Sequence, residues 1–275
     1  MIKVGIIGGS QPEMKKFVEE AKRKYTTDLD FHVFDTNENI GDEKLWTYYK
    51  SDTPEEMALA AVKQAHDGEL DILVKGIAST HTVLKAVLNK EYSLKKENIL
   101  SHVAVVQLPT LDRKILLTDP AMNITPTTDQ LIEITNHVVD VAHNMGIKKP
   151  KVALLSAAEN FNPKMPSSVL AKEVTEHFSE REDAVIYGPL SFDLALSKAS
   201  VKNKRFTGPV AGDADILVVP NIDVGNVLYK SLVLFGDAVM GGTIVGTSVP
   251  VVLTSRSDAI ESKLIALDLA MDQVK

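Results

Sequence analysis

The chain has 275 residues, 44% of them apolar and 24% charged, a balance typical of a globular protein with one large or two medium domains. Its 30 Lys and Arg against 37 Asp and Glu leave a net charge of −7, which excludes the broad basic face of a nucleic-acid binder but not a local pocket for a small anion. Cysteine is absent, so disulfides, thiolate metal sites and a cysteinyl acyl intermediate are excluded too.

The first segment, MIKVGIIGGS, lacks a signal-peptide pattern, and no stretch approaches the roughly 20 apolar residues of a spanning helix. A soluble, cytoplasmic protein that does not engage membranes is expected. Residues 2–7 and 31–34 read as strands, with a helix between them starting near Pro12 and Ser10 as its candidate cap. Thr53, Pro54 and Glu56 spell a capping box, and Gly68 ends that helix. Residues 71–75 read as a buried strand, then Gly76 and a helix from Thr80 to Asn89. Strands follow at 103–107, 115–118, 152–155, 184–187, 216–219, 243–245 and 251–253. Helices fit 128–145, 166–179, 192–199 and 224–235. The last helix carries one apolar stripe, Ile260, Leu264, Leu267, Met271 and Val274. Alternating strands and helices predict an α/β fold with largely parallel pairing, most comfortably arranged in two lobes.

Ligands of open α/β sheets bind beyond the carboxyl ends of the strands, and four such ends carry polar residues. Lys75, Gly76, Ser79 and Thr80 set a cation and two hydroxyls at a helix N-terminus, where a phosphate can sit; a capped turn uses the same residues. His81 opens that helix. Asp119 and Asn123 follow a strand and either orient a ligand or close an Asx-turn. Asn221, Asp223, Gly225, Asn226 and Lys230 crowd a third junction, more polar residues than a helix cap needs. At the fourth, Ser255, Arg256 and Ser257 offer a guanidinium and hydroxyls suited to phosphate, while Asp258 and Glu261 match a D-x-x-E cap.

Other templates fail. Gly5–Ser10 is glycine-rich but is not G-x-G-x-x-G, and neither a phosphate-binding P-loop nor a G-x-S-x-G elbow occurs. The seven histidines show no metal-ligand spacing and read mostly as surface or helix-face residues.

The segments LVKGIASTHTVLKAVLNKE, ILSHVAVVQLP, LLTDPAMNITPT, NPKMPSS, GPLSFDLALS, PVAGDADILVVPNIDVGNVLYKSLV and PVVLTSRSDAIESKL together resemble the phosphate acetyl/butyryl transferase family, on its butyryl branch. The resemblance implies a two-lobed α/β/α sandwich like that of isopropylmalate and isocitrate dehydrogenases, with the active cleft between lobes. It places 1–106 and 242–275 in one lobe and 107–241 in the other. It implies the reaction acyl-CoA + phosphate = acyl phosphate + CoA, a homodimer, no metal and no tightly bound cofactor. Its catalytic Ser-Arg pair matches Ser255 and Arg256 here. The acidic residue that the acetyl branch carries six positions after that Arg is Ser262 in this chain, which leaves Asp258, Glu261 and His81 as candidate bases. Lys75, Gly76, Ser79, Thr80, Asn123, Asn221, Asn226 and Lys230 are the candidate phosphate and CoA contacts.

Without a cysteine nucleophile, bound phosphate itself is the attacking group, and direct transfer in a ternary complex is expected. Two rivals share the composition. A decarboxylating dehydrogenase needs an Asp cluster for a divalent metal, and Asp213, Asp215 and Asp223 form no clean triad. A non-catalytic binder of acyl-CoA or a phosphorylated ligand would look alike in sequence.

Overall fold

A computed structural model of the chain describes residues 1–254 and 258–274. It divides into two compact units. The first holds Met1–Asn98 and Gly241–Lys275, and the second Ile99–Met240.

The first unit runs β1 (Ile2–Ile7), α1 (Pro12–Lys24), β2 (Leu29–Asp35), β3 (Thr47–Lys50), α2 (Pro54–His66), β4 (Ile72–Lys75) and α3 (Thr80–Val87). The second runs β5 (Ser101–Gln107), β6 (Ile115–Thr118), α4 (Thr128–Asn144), β7 (Lys151–Leu155), α5 (Pro166–His177), β8 (Val185–Leu190), α6 (Phe192–Leu196), α7 (Lys198–Lys204), β9 (Ile216–Val218) and α8 (Ile222–Phe235). Strand β10 (Val239–Val245) leads the chain back to the first unit, which ends with β11 (Val251–Leu253) and α9 (Ile260–Asp272). Strand β5 belongs with the second unit, not before its boundary, because it pairs antiparallel with β6.

In the first unit the strand order is β3-β2-β1-β4-β11-β10. All neighbours are parallel except β10 and β11. Its core joins Val4, Ile6, Phe31, Val33, Ile72 and Val74 of the strands to Phe17 of α1 and Leu264 and Leu267 of α9. The stripe on α9 therefore faces inward as its spacing predicts, with Ile260, Met271 and Val274 packed at its ends. The capping box of α2 forms as read, with Thr53 accepting from Glu56 N–H and the Glu56 side chain accepting at Thr53.

In the second unit the order is β5-β6-β9-β7-β8, and β6, β9, β7 and β8 run parallel. Leu117, Ala153, Leu190, Leu217 and Val219 form the centre of its core.

Three expectations change. Ser10 does not cap α1; its hydroxyl donates to Glu38 O (2.6 Å) and accepts from Ile40 N (3.1 Å), and Gln11 precedes the helix. The helix expected over 192–199 is two short ones, because Ser197 leaves the helical conformation and caps α7 through Ser200 N. Strand β3 was not expected, because TYYK is too short to show its alternation.

Candidate active site

Strand β1 lies between β2 and β4, so the winding direction of the first unit reverses at the β1/β4 pair. A crevice forms beyond the carboxyl ends of strands at such a point. Lys75 ends β4 there, in register with Ile7 of β1 and Leu253 of β11. Three parallel strands therefore bring Gly8–Ser10, Gly76–Ser79 and Thr254 to one edge.

The loops are pressed together. Gly76 N donates to Ile7 O (2.9 Å) and Ile77 N to Gly8 O (2.9 Å). A side chain at Gly76 would overlap the Gly8 carbonyl, and one at Gly8 would meet Ala78 N at 2.8 Å. The role of Gly76 is thus close backbone approach, and its N–H is already engaged.

Lys75 is 4% exposed. Its ammonium donates to Gly76 O (3.1 Å) and Ala78 O (3.3 Å), which hold it at the mouth of the turn. Thr254 is buried and donates its hydroxyl to Lys75 O (3.2 Å), tying the end of β11 to the end of β4. The next residues, Ser255 and Arg256, lie outside the described residues.

Ser79 is the N-cap of α3, accepting from Thr82 N (3.0 Å) and sharing a hydrogen bond with its hydroxyl (2.8 Å). That leaves the N–H groups of Thr80 and His81 in the first turn without helical acceptors. Both side chains are exposed. A buried ammonium and the positive end of a helix thus share one strand-to-helix turn.

Asp258 and Glu261 do not form the expected cap. Ala259 precedes α9 and no side chain caps it, so neither carboxylate is consumed by capping. Lys263 does the fastening. It is 2% exposed and bridges Glu13 of α1 (2.7 Å) and the Asp258 carbonyl. The sequence pattern hides this role, because a lysine in an amphipathic helix reads as solvated.

The other candidates lie in the second unit, at the ends of β6 and β9. Asp119 is buried and accepts from Ala121 N (2.9 Å), Met122 N (2.9 Å), Asn123 N (3.2 Å) and Asn123 Nδ2 (2.6 Å). Asn123 Nδ2 also donates to Leu100 O (2.8 Å). Asp119 and Asn123 therefore build the loop, the Asx-turn alternative. This loop seats against α8 at Gly225, where a Cβ would lie 2.7 Å from Pro120 Cα. Asn221 caps α8 through Val224 N (3.0 Å). Asn226 donates to Pro120 O (3.4 Å), and Lys230, one turn on, is exposed on the same helix face.

His102 lies in β5 and is buried, against the expectation of mostly surface histidines. Its Nδ1 has no partner among the described residues. Burial holds the imidazole below its usual range, with the Asp119 carboxylate opposing. His137 is buried too, sharing a hydrogen bond with Ser101 (2.8 Å).

Two of the aspartates weighed as metal ligands serve otherwise. Asp213 binds Lys151 (2.8 Å), and Asp215 accepts from Lys151 N (2.8 Å), at the amino end of β9. No group of three metal-ligating side chains occurs among the described residues.

Parallel strands ending in a buried lysine, a helix N-terminus and a hydroxyl latch define an α/β protein with a polar crevice at its strand ends, of a chemistry suited to a small anion. A profile of the phosphate acetyl/butaryl transferase family matches residues 42–270. The chain is 43% identical over 223 residues to the probable phosphate butyryltransferase of Bacillus subtilis (strain 168), covering 80% of this chain and 75% of that one. It superposes on a branched-chain phosphotransacylase from Enterococcus faecalis V583 with a TM-score of 0.96 at 58% identity, covering 100% and 99% of the two chains. A β-decarboxylating dehydrogenase from Thermococcus kodakarensis aligns over 99% of this chain and 81% of its own with a TM-score of 0.53 at 13% identity, a likeness of fold alone. The chain belongs to the phosphate acetyl/butyryl transferase family and is a phosphate acyltransferase.

Proposed function

We propose that the enzyme moves a butyryl or branched short acyl group directly between CoA and inorganic phosphate, within one ternary complex. The observation that supports this most is Lys75, buried at the end of β4 and latched by Thr254, the residue before Ser255 and Arg256. A phosphate held there is a nucleophile already in place, so attack becomes effectively unimolecular. A phosphate oxygen bonds to the thioester carbonyl carbon, the C–S bond breaks, and the CoA thiolate takes up a proton. Lys75 and Arg256 neutralise phosphate charge, and Ser255 donates to the carbonyl oxygen as it gains charge. Asp258, Glu261 and His81 are the candidates for carrying the thiol proton. Asn226 and Lys230 serve CoA, Lys230 by its charge; Asn123 and Asn221 act on the loops that carry them. Tight cofactors have no part in this scheme. We also read the enzyme as a cytoplasmic homodimer; no helix among the described residues is long and apolar enough to cross a membrane.

Thiol release from butyryl-CoA and branched acyl-CoAs, with and without phosphate, tests the reaction. Rapid quench during turnover tests the mechanism: protein carrying label from an acyl-labelled substrate defeats direct transfer.

A further inference from the structure

Lysine is an expensive choice at position 263. It is the fourth residue of α9, at the amino-terminal end, where the helix dipole disfavours a cation. It is also buried, so its ammonium gives up most of its hydration. The buried residues that follow it, Leu264, Ile265, Ala266 and Leu267, are all apolar, and a methionine of similar length would suit the same space. Seating the helix does not account for the charge. Leu264 and Leu267 already pack with Phe17 of α1, and Tyr25, just after α1, donates its hydroxyl to Leu264 O (2.8 Å). Against β10 the fit is close, because a Cβ on Gly241 would overlap Ser262 O and lie 2.7 Å from Ala266 N. What Lys263 adds lies outside the helix. Its ammonium pairs with Glu13 (2.7 Å), in the first turn of α1, and donates to the Asp258 carbonyl (2.5 Å), ahead of the first residue of α9.

We propose that Lys263 is a positioning residue for acyl transfer, which with Thr254 fixes the two ends of the segment carrying Ser255 and Arg256. At the amino end the buried Thr254 hydroxyl donates to Lys75 O (3.2 Å). At the carboxyl end Lys263 holds Asp258 O. Three residues lie between these two holds, so movement of either end is passed on over a very short span. Glu13 supplies the counter-charge that keeps the ammonium protonated while buried. Because α9 is seated on α1 and β10 by other contacts, the ammonium is a fixed post. A group held in advance of binding need not be ordered during the reaction, and a displacement of about 1 Å at the reacting centre costs roughly 100-fold in rate.

The inference rests on the reading that Arg256 holds phosphate, and the test separates the two. Lys263→Met should lower kcat/KM for phosphate by about 100-fold, while the KM for butyryl-CoA changes by less than about threefold. Its urea unfolding should match that of the wild type, since Glu13 is partly exposed and regains water. The double variant Glu13→Leu with Lys263→Met replaces both charges by apolar groups and should show the same loss, which keeps the test open if the single variant does not fold. In an Arg256→Lys background, Lys263→Met should cost less than about threefold further, because both residues serve one task. Wild-type kcat/KM for phosphate in either folded variant overturns the positioning role. So does a full further loss in the Arg256→Lys background, which would make Lys263 independent of Arg256. Near-normal turnover of Arg256→Ala instead overturns the phosphate-site reading beneath it.

Discussion

Gly76→Ala is the substitution whose cost follows most directly from the packing at the proposed phosphate turn. The added methyl overlaps the Gly8 carbonyl oxygen and lies 2.8 Å from Gly8 C and 3.1 Å from Ile7 O. All three are backbone atoms, so no side chain can swing aside. Overpacking of this kind costs about 1–3 kcal/mol. The displacement also breaks Gly76 N–Ile7 O and Ile77 N–Gly8 O, each worth about 1 kcal/mol. The expected loss is therefore about 3–5 kcal/mol. Gly68→Ala is the control. Gly68 has φ +76, and an added methyl there would meet nothing within 4 Å, so only the left-handed strain of about 1–2 kcal/mol applies. Urea unfolding of both variants measures the difference, and the apparent phosphate KM of Gly76→Ala should rise because Lys75 moves with its turn. Equal stability of the two variants, or an unchanged KM, refutes the reasoning about this junction.

Lys75→Met should lower phosphate-dependent thiol release by about 100-fold or more, the scale of losing one charged donor to a developing anion, while urea unfolding confirms a folded protein. Arg256→Ala should lose most acyl transfer with the fold intact, and near-normal turnover removes Arg256 from the phosphate site. For His102, burial lowers the folded-state pKa, so the unfolded chain takes up the proton first as pH falls. Its contribution to stability is full above the ordinary imidazole pKa of about 6.5 and declines below it by up to about 1.4 kcal/mol per pH unit. His102→Gln should flatten that decline in urea titrations between about pH 7 and pH 5; an unchanged slope assigns it to other groups.

Local signals carried much of the fold. The Thr53–Glu56 capping box, the stop at Gly68 and the spacing of the α9 stripe each depend on neighbours a few residues apart, and each is realised. What stayed hidden depends on partners distant in sequence. Gly76 reads as a ligand-cradling glycine until Gly8 is known to press on it. Lys263 reads as a solvated helix residue until Glu13 is brought beside it. His102 sits in an apolar run, ILSHVAVV, and that was the available hint of its burial. Asn123 and Asn221 offered both a structural and a binding role, and the hydrogen bonds of Asn123 Nδ2 and Asn221 Oδ1 commit those atoms to the loops.

Transfer of an acyl group from CoA to phosphate is measured most directly by following the free CoA thiol and the acyl phosphate released from butyryl-CoA as phosphate is varied. Equal amounts of thiol and acyl phosphate, both abolished when phosphate is omitted, are the predicted result. Thiol release that continues without phosphate, or that yields free acid in place of acyl phosphate, contradicts it.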